Sequence, residues 1–158
     1  MGRIILIGAG GSGKDTARKR FENRGFKYAV SYTTRPPREG EVDHVDYHFI
    51  TKEWSETMIK HGAFYEYVIF NGWLYGTSLS QMDHDDIFIM TPTGLSHLKP
   101  KDRQESIVIY FDIPEEIRRQ RLSARNMPGD TIDRRIEADN RDFANFTDFD
   151  IRVTNENF

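Results

Sequence analysis

Four apolar residues, Ile4-Ile5-Leu6-Ile7, run directly into Gly8-Ala9-Gly10-Gly11-Ser12-Gly13-Lys14, and a helical pattern follows. A short unbroken apolar run reads as a buried strand, and the glycines read as a tight turn into a helix. The spacing Gly8-x-x-x-x-Gly13-Lys14 is that of a phosphate-binding loop. Glycines let the backbone turn its N–H groups inward around an anion, and the helix N-terminus adds partial positive charge. Gly8, Gly10, Gly11, Ser12 and Gly13 form this cradle, and Lys14 supplies a point charge for the β- and γ-phosphates of a nucleotide.

Further apolar runs at 3–7, 87–91, 107–112 and 151–153, with a weaker one at 28–32, alternate with helical patterns at 14–24, 52–61, 114–124 and 132–146. That alternation predicts an α/β layer with a parallel sheet. The segment 47–75 differs, with aromatic-rich extended runs at 47–50 and 64–70 and a hairpin signal at Asn71-Gly72. It reads as a small β-rich insertion beside the main sheet. Residues 126–130 break two helices and read as a mobile tip.

The chain has 158 residues, enough for one domain with a real core. A net charge of −3, from 22 basic and 25 acidic residues, gives no global signal for nucleic acid or a membrane surface. Basic clusters at 35–38 and 118–125 are therefore local features. Without cysteine there are no disulfides or thiolate metal sites. The apolar runs have strand length and no leader sequence is legible, so a cytoplasmic protein is expected. The five histidines do not assemble into a site by spacing.

The residue after the loop lysine is Asp15, followed by Thr16, where a hydroxyl usually reaches Mg²⁺. Two readings stay open. Asp15 binds Mg²⁺ directly or through water, or it turns away to cap or pair near the helix start. A second anion-binding segment follows at Ser31-Tyr32-Thr33-Thr34-Arg35-Pro36-Pro37-Arg38-Glu39-Gly40-Glu41. Its prolines exclude helix, and two guanidinium forks suit a monophosphate. Two anion sites in one small chain point to a phosphoryl group passed between two nucleotides.

This second segment, continued by Asp46-Tyr47-x-Phe49, Phe64-x-Glu66 and Tyr75-Gly76-Thr77-Ser78, resembles the guanylate kinase family nearly residue for residue. The looser resemblance spans almost the whole chain, ending at Phe158 before a final helix that many members have. It implies a three-layer P-loop kinase fold with a parallel core sheet (1–30, 78–112, 147–158), a nucleoside-monophosphate-binding insertion (31–77) and a helical lid (113–146). It also implies transfer of the ATP γ-phosphoryl to GMP or dGMP, with Mg²⁺. Ser31, Arg35, Arg38, Glu41, Tyr47 and Tyr75 would serve the acceptor. Glu66 would read the guanine N1 and N2 edge, with Thr77 near O6. Arg121, Arg125 and Arg135 would be the lid arginines that meet the transferring charge, and Asn155 would lie near the adenine. Arg118, Arg119, Arg134 and Arg141 read as surface residues paired with Glu115, Glu116, Glu137 or Asp142.

Two departures qualify the resemblance. Members usually carry aspartates at the end of the strand that here reads Ile87-Phe88-Ile89-Met90-Thr91. Thr91 falls at the guanine-contacting acid and brings no charge, and no acid assists the metal. A kinase of the same fold with altered base preference, a non-catalytic nucleotide- or protein-binding module and an ATPase-type sensor are the competing expectations. Partners are small nucleotides in a monomer or homodimer, with neither nucleic acid nor membrane involved.

Overall fold

The computed structural model describes residues 2–125 and 131–158. In chain order the elements are β1 (Arg3–Gly8), α1 (Lys14–Asn23), β2 (Tyr32–Thr33), β3 (His48–Phe49), α2 (Lys52–Lys60), β4 (Phe64–Phe70), β5 (Trp73–Ser78), α3 (Leu79–His84), β6 (Ile87–Ile89), α4 (Pro92–Ser96), α5 (Pro100–Gln104), β7 (Ser106–Phe111), α6 (Glu115–Ser123), α7 (Ile132–Phe143) and β8 (Ile151–Val153). The break expected at 126–130 lies outside the described residues.

The core sheet is parallel, in the order β6-β1-β7-β8, so β1 is central. Its residues are apolar on both faces: Ile5, Leu6 and Ile7 have no exposed surface. Such runs form when helices cover both sides of a sheet. One face packs with Phe88, Met90, Leu95 and Val108, the other with Ala17, Tyr28, Ile87 and Phe111. Ligands of open parallel sheets collect at the carboxyl ends of the strands, and the glycine loop leaves β1 at that edge.

The second sheet has the order β3-β2-β5-β4. The β4–β5 hairpin turns through Asn71 and Gly72 at φ of 53° and 86°. Two successive positive φ values match the twist of the flanking strands. A register irregularity between Phe64 and Glu66 leaves Tyr65 without a partner on β5. Beyond it the strand alternates, with Tyr67 and Ile69 outward and Glu66 and Val68 buried. This bulge sets which side chains face the cleft.

Two local expectations change. The run at 28–32 is not one strand: Tyr28 bridges Ile87 in the core sheet, whereas Tyr32 and Thr33 belong to the second sheet. The apolar pattern was continuous because the chain is buried on both sides of that crossing. The strand expected at 87–91 stops at Ile89, since Thr91 takes the N-cap of α4 and accepts the Gly94 N–H. No described helix is long and apolar enough to cross a membrane.

Candidate active site

The glycine loop connects β1 to α1 with Gly11 and Gly13 at φ of 78° and 95°, a region that disfavours side chains. Ser12 is fully buried and its N–H donates to the Ala9 carbonyl at 3.1 Å. Lys14 folds back so that Nζ donates to the Gly8 carbonyl at 2.5 Å. Burial lowers the Lys14 ammonium to about 8; Asp139 and Asp15 pull it upward, while Arg135 and Arg125 push it further down. Asp15 is exposed at the first turn, 3.5 Å from Arg18. That contact corresponds to the pairing alternative of the two sequence readings. Thr16 lies with it at the cleft mouth.

Arg38, Arg125, Arg135 and Tyr47 line the same cleft as residues 10–16. The adjoining cavity is lined by Lys14, Ser31, Tyr47, Glu66, Tyr75 and Thr91. Arg35 makes a bidentate pair with Glu41 at 2.9 and 3.0 Å, and Glu41 also accepts the Arg38 N–H at 2.7 Å. Glu41 thus fixes the arginine segment from within. Arg35 stacks over Tyr47, 5.1 Å from the ring centre. Burial, with Arg135 and Arg35 alongside, lowers Arg38 to about 10. Among the described residues, several buried polar groups here have no hydrogen-bond partner: Arg35 Nε, Arg38 Nη2, Arg135 Nε and Nη1, the Tyr75 hydroxyl and Ser12 Oγ. Unpaired buried donors are costly, and clustered cations repel one another. An anion seated among them would relieve both costs.

Glu66 is 7% exposed and accepts the Thr77 hydroxyl proton at 2.8 Å through Oε1. Burial raises its carboxyl to about 7, against the lowering effect of Thr77. Thr91 lines the same cavity while capping α4.

The arginines expected in the lid divide. Arg135 and Arg125 face the loop, but Arg121 is engaged behind it, donating to the Gly11 carbonyl at 3.0 Å and the Glu156 carbonyl at 2.7 Å. Arg121→Ala is expected to cost about 1–3 kcal/mol by leaving these carbonyls unpaired, measured by thermal unfolding. Asn155 accepts the Asn157 N–H at 2.9 Å in the exposed turn after β8. The sequence expectation for Arg118 is corrected: it is buried, and Nε donates to the Ile113 carbonyl at 3.0 Å. Its burial turns the side chain inward, where a backbone carbonyl rather than a surface acid takes the donor. Arg119 pairs with Asp133 and Arg141 with Glu137, both on the surface. Asp142 turns into the cavity, with Thr93 Oγ1 at 3.3 Å.

Sequence reasoning passed over Asp139. It shares a helix face with Arg135 and Asp142 at i, i+4 and i+7, which a helical reading of α7 makes visible.

A glycine-rich loop at the carboxyl edge of a parallel sheet, faced by Arg38 from the connection between β2 and β3 and by Arg135 from α7, is the arrangement of a P-loop kinase fold. The guanylate kinase family matches residues 1–158. The guanylate kinase of Streptococcus agalactiae serotype III (strain NEM316) is 35% identical over 164 residues, covering 97% of this chain and 78% of that one. The guanylate kinase of Onion yellows phytoplasma (strain OY-M) is 36% identical over 164 residues, with 97% and 77% covered. The crystal structure of guanylate kinase from Anaplasma phagocytophilum superposes with a TM-score of 0.73 at 21% identity, over 98% of this chain and 77% of that one. The chain belongs to the guanylate kinase family.

Proposed function

We propose that this chain transfers the γ-phosphoryl group of ATP to GMP or dGMP, giving ADP and GDP or dGDP. The partnerless buried donors between the glycine loop and the inserted sheet carry the reading. Lys14 and the loop N–H groups hold the donor's β- and γ-phosphates. Arg35, Arg38, Tyr47, Tyr75 and Ser31 hold the acceptor's phosphate, and Glu66, Thr77 and Thr91 hold its base. An acceptor phosphate oxygen attacks the γ-phosphorus; that P–O bond forms as the bond to the ADP oxygen breaks. The acceptor is already anionic, so positioning and charge stabilisation suffice without a general base. Arg125 and Arg135 neutralise charge on the moving group, while the insertion (31–77) and lid (113–146) close and exclude water.

Mg²⁺ would enter with ATP. Among the described residues no three acids converge on one point. Mg²⁺ keeps several waters and takes one or two carboxylates beside phosphate oxygens. The buried, partnerless Asp142 Oδ2 fits that need, and Asp15 at the cleft mouth is the second carboxylate at hand. When bound, the ion would neutralise charge on the donor's phosphates.

The test is ADP release from ATP·Mg²⁺ with GMP, dGMP, AMP, CMP and UMP offered separately, beside a control without acceptor. Turnover confined to GMP and dGMP is expected. Equal ADP release without acceptor would overturn the transferase reading, and turnover with another base would overturn the guanine assignment.

A further inference from the structure

Asp139 is the most deeply buried acid of α7, with 4% of its side chain exposed. Its Oδ2 accepts the Gly10 N–H at 2.9 Å, across 129 residues of sequence. The same oxygen lies 3.8 Å from Arg135 Nε. At that separation the carboxylate attracts the guanidinium without consuming a donor, and Nε and Nη1 of Arg135 stay partnerless. The Phe70 ring, 5.6 Å from the Arg135 guanidinium carbon, takes its other side. Contact between helix and loop is tight: a Cβ on Gly10 would lie 3.0 Å from Arg135 Nε and 3.2 Å from Asp139 Oδ2.

We propose that Asp139 is a positioning residue that fastens lid helix α7 to the phosphate loop through the Gly10 N–H and aims Arg135 between the two nucleotide sites. The proposal rests on the kinase reading above. An acid so close to a polyphosphate weakens its binding by repulsion, so its benefit lies in the placement of Arg135. Asp139 acts through Arg135 and does not itself touch substrate.

A double-mutant cycle with Asp139→Asn and Arg135→Ala tests this in the full chain. Asn keeps an acceptor for the Gly10 N–H while removing the charge. D139N is expected to lower kcat by about tenfold without raising KM for ATP, and R135A by about 100-fold. The double variant is expected to match R135A alone, because the acid has nothing left to aim. Multiplying effects, or an unchanged kcat in D139N, would overturn the proposal. Should D139N fail to fold, Asp139→Ser is read in the same cycle. The cycle is also measured as affinity for a non-hydrolysable ATP analogue, which needs no acceptor. A parent chain that binds the analogue but leaves GMP unphosphorylated sinks the kinase reading. In that case the Gly10 amide reads the anchor directly: hydrogen exchange faster in Asp139→Ala than in the parent still supports it, and unchanged exchange overturns it.

Discussion

Lys14→Met is expected to lower kcat by about 10³-fold, with GMP affinity unchanged within about twofold. Lys14 lines both cavities, but in the proposed reaction its charge serves the donor's β- and γ-phosphates, so the two quantities separate. Its ammonium donates to the Gly8 carbonyl and faces Arg135 and Arg125 as well as the acids Asp139 and Asp15. Its pKa of about 8 lies below the ordinary value of 10.5, so below pH 8 the folded protein bears the cost of a desolvated charge. Methionine removes that cost. At pH 7 the variant is therefore expected to unfold a few degrees higher than the parent, a gain of about 1 kcal/mol that vanishes as pH approaches the unfolded value. A triphosphate raises the lysine's affinity for its proton. ATP binding near pH 8 should take up a fraction of a proton, seen as a buffer-dependent heat in calorimetry, and Lys14→Met should abolish the uptake. A variant that keeps both turnover and proton uptake would remove Lys14 from the site.

The elements with strong local signals were legible in the sequence. Core strands β1, β7 and β8 and helices α1, α2 and α6 follow their apolar periods to within a residue or two. Short helices were harder. α3 begins with a reciprocal cap between Ser78 and Gln81, and α4 and α5 each carry proline in the first turn. These signals are visible, but six residues or fewer are too few for a helical period to emerge. Periodicity also fails at 28–32, where the chain changes sheets while remaining buried.

For the site, motif spacing located residues without saying which way each side chain turns. Glu41 lies within the acceptor segment as read, yet its carboxylate is engaged with Arg35 and the Arg38 N–H. Arg121 and Arg118 differ by three positions on α6 and both end on backbone carbonyls. Charge alternation on a helix suggests solvent-facing pairs, and only the docking of α6 against the loop reveals otherwise. Asp139 was passed over for a related reason, although helical spacing puts it on the face of Arg135. It contacts a glycine N–H, and a backbone donor leaves no mark in the sequence.

Glu66→Gln is expected to weaken GMP binding by about 100-fold while making the ligand-free protein more stable at pH 8. Glu66 sits on β4 past the bulge, buried beside Thr77, with a pKa of about 7 against an ordinary 4.5. A carboxyl raised by burial contributes stability that is complete below its unfolded value and is lost as pH rises through its folded one. At pH 8 the native protein therefore holds a desolvated carboxylate with one hydroxyl donor. Glutamine relieves this by about 1–3 kcal/mol, or several degrees in unfolding temperature, and retains an acceptor for Thr77. At pH 4, below the unfolded value, the two proteins should unfold together. Guanine supplies the missing N–H donors to the carboxylate, so it binds the ionised form. The parent's affinity for GMP is accordingly expected to fall about tenfold between pH 8 and pH 6, with a proton released on binding at pH 7. In E66Q the amide sets a donor against guanine donors, and the pH dependence disappears with the affinity. Calorimetric titration with GMP at pH 6, 7 and 8 reads both effects. Affinity that is flat with pH in the parent, or unweakened in the variant, would detach Glu66 from the base and leave the buried carboxylate without a function.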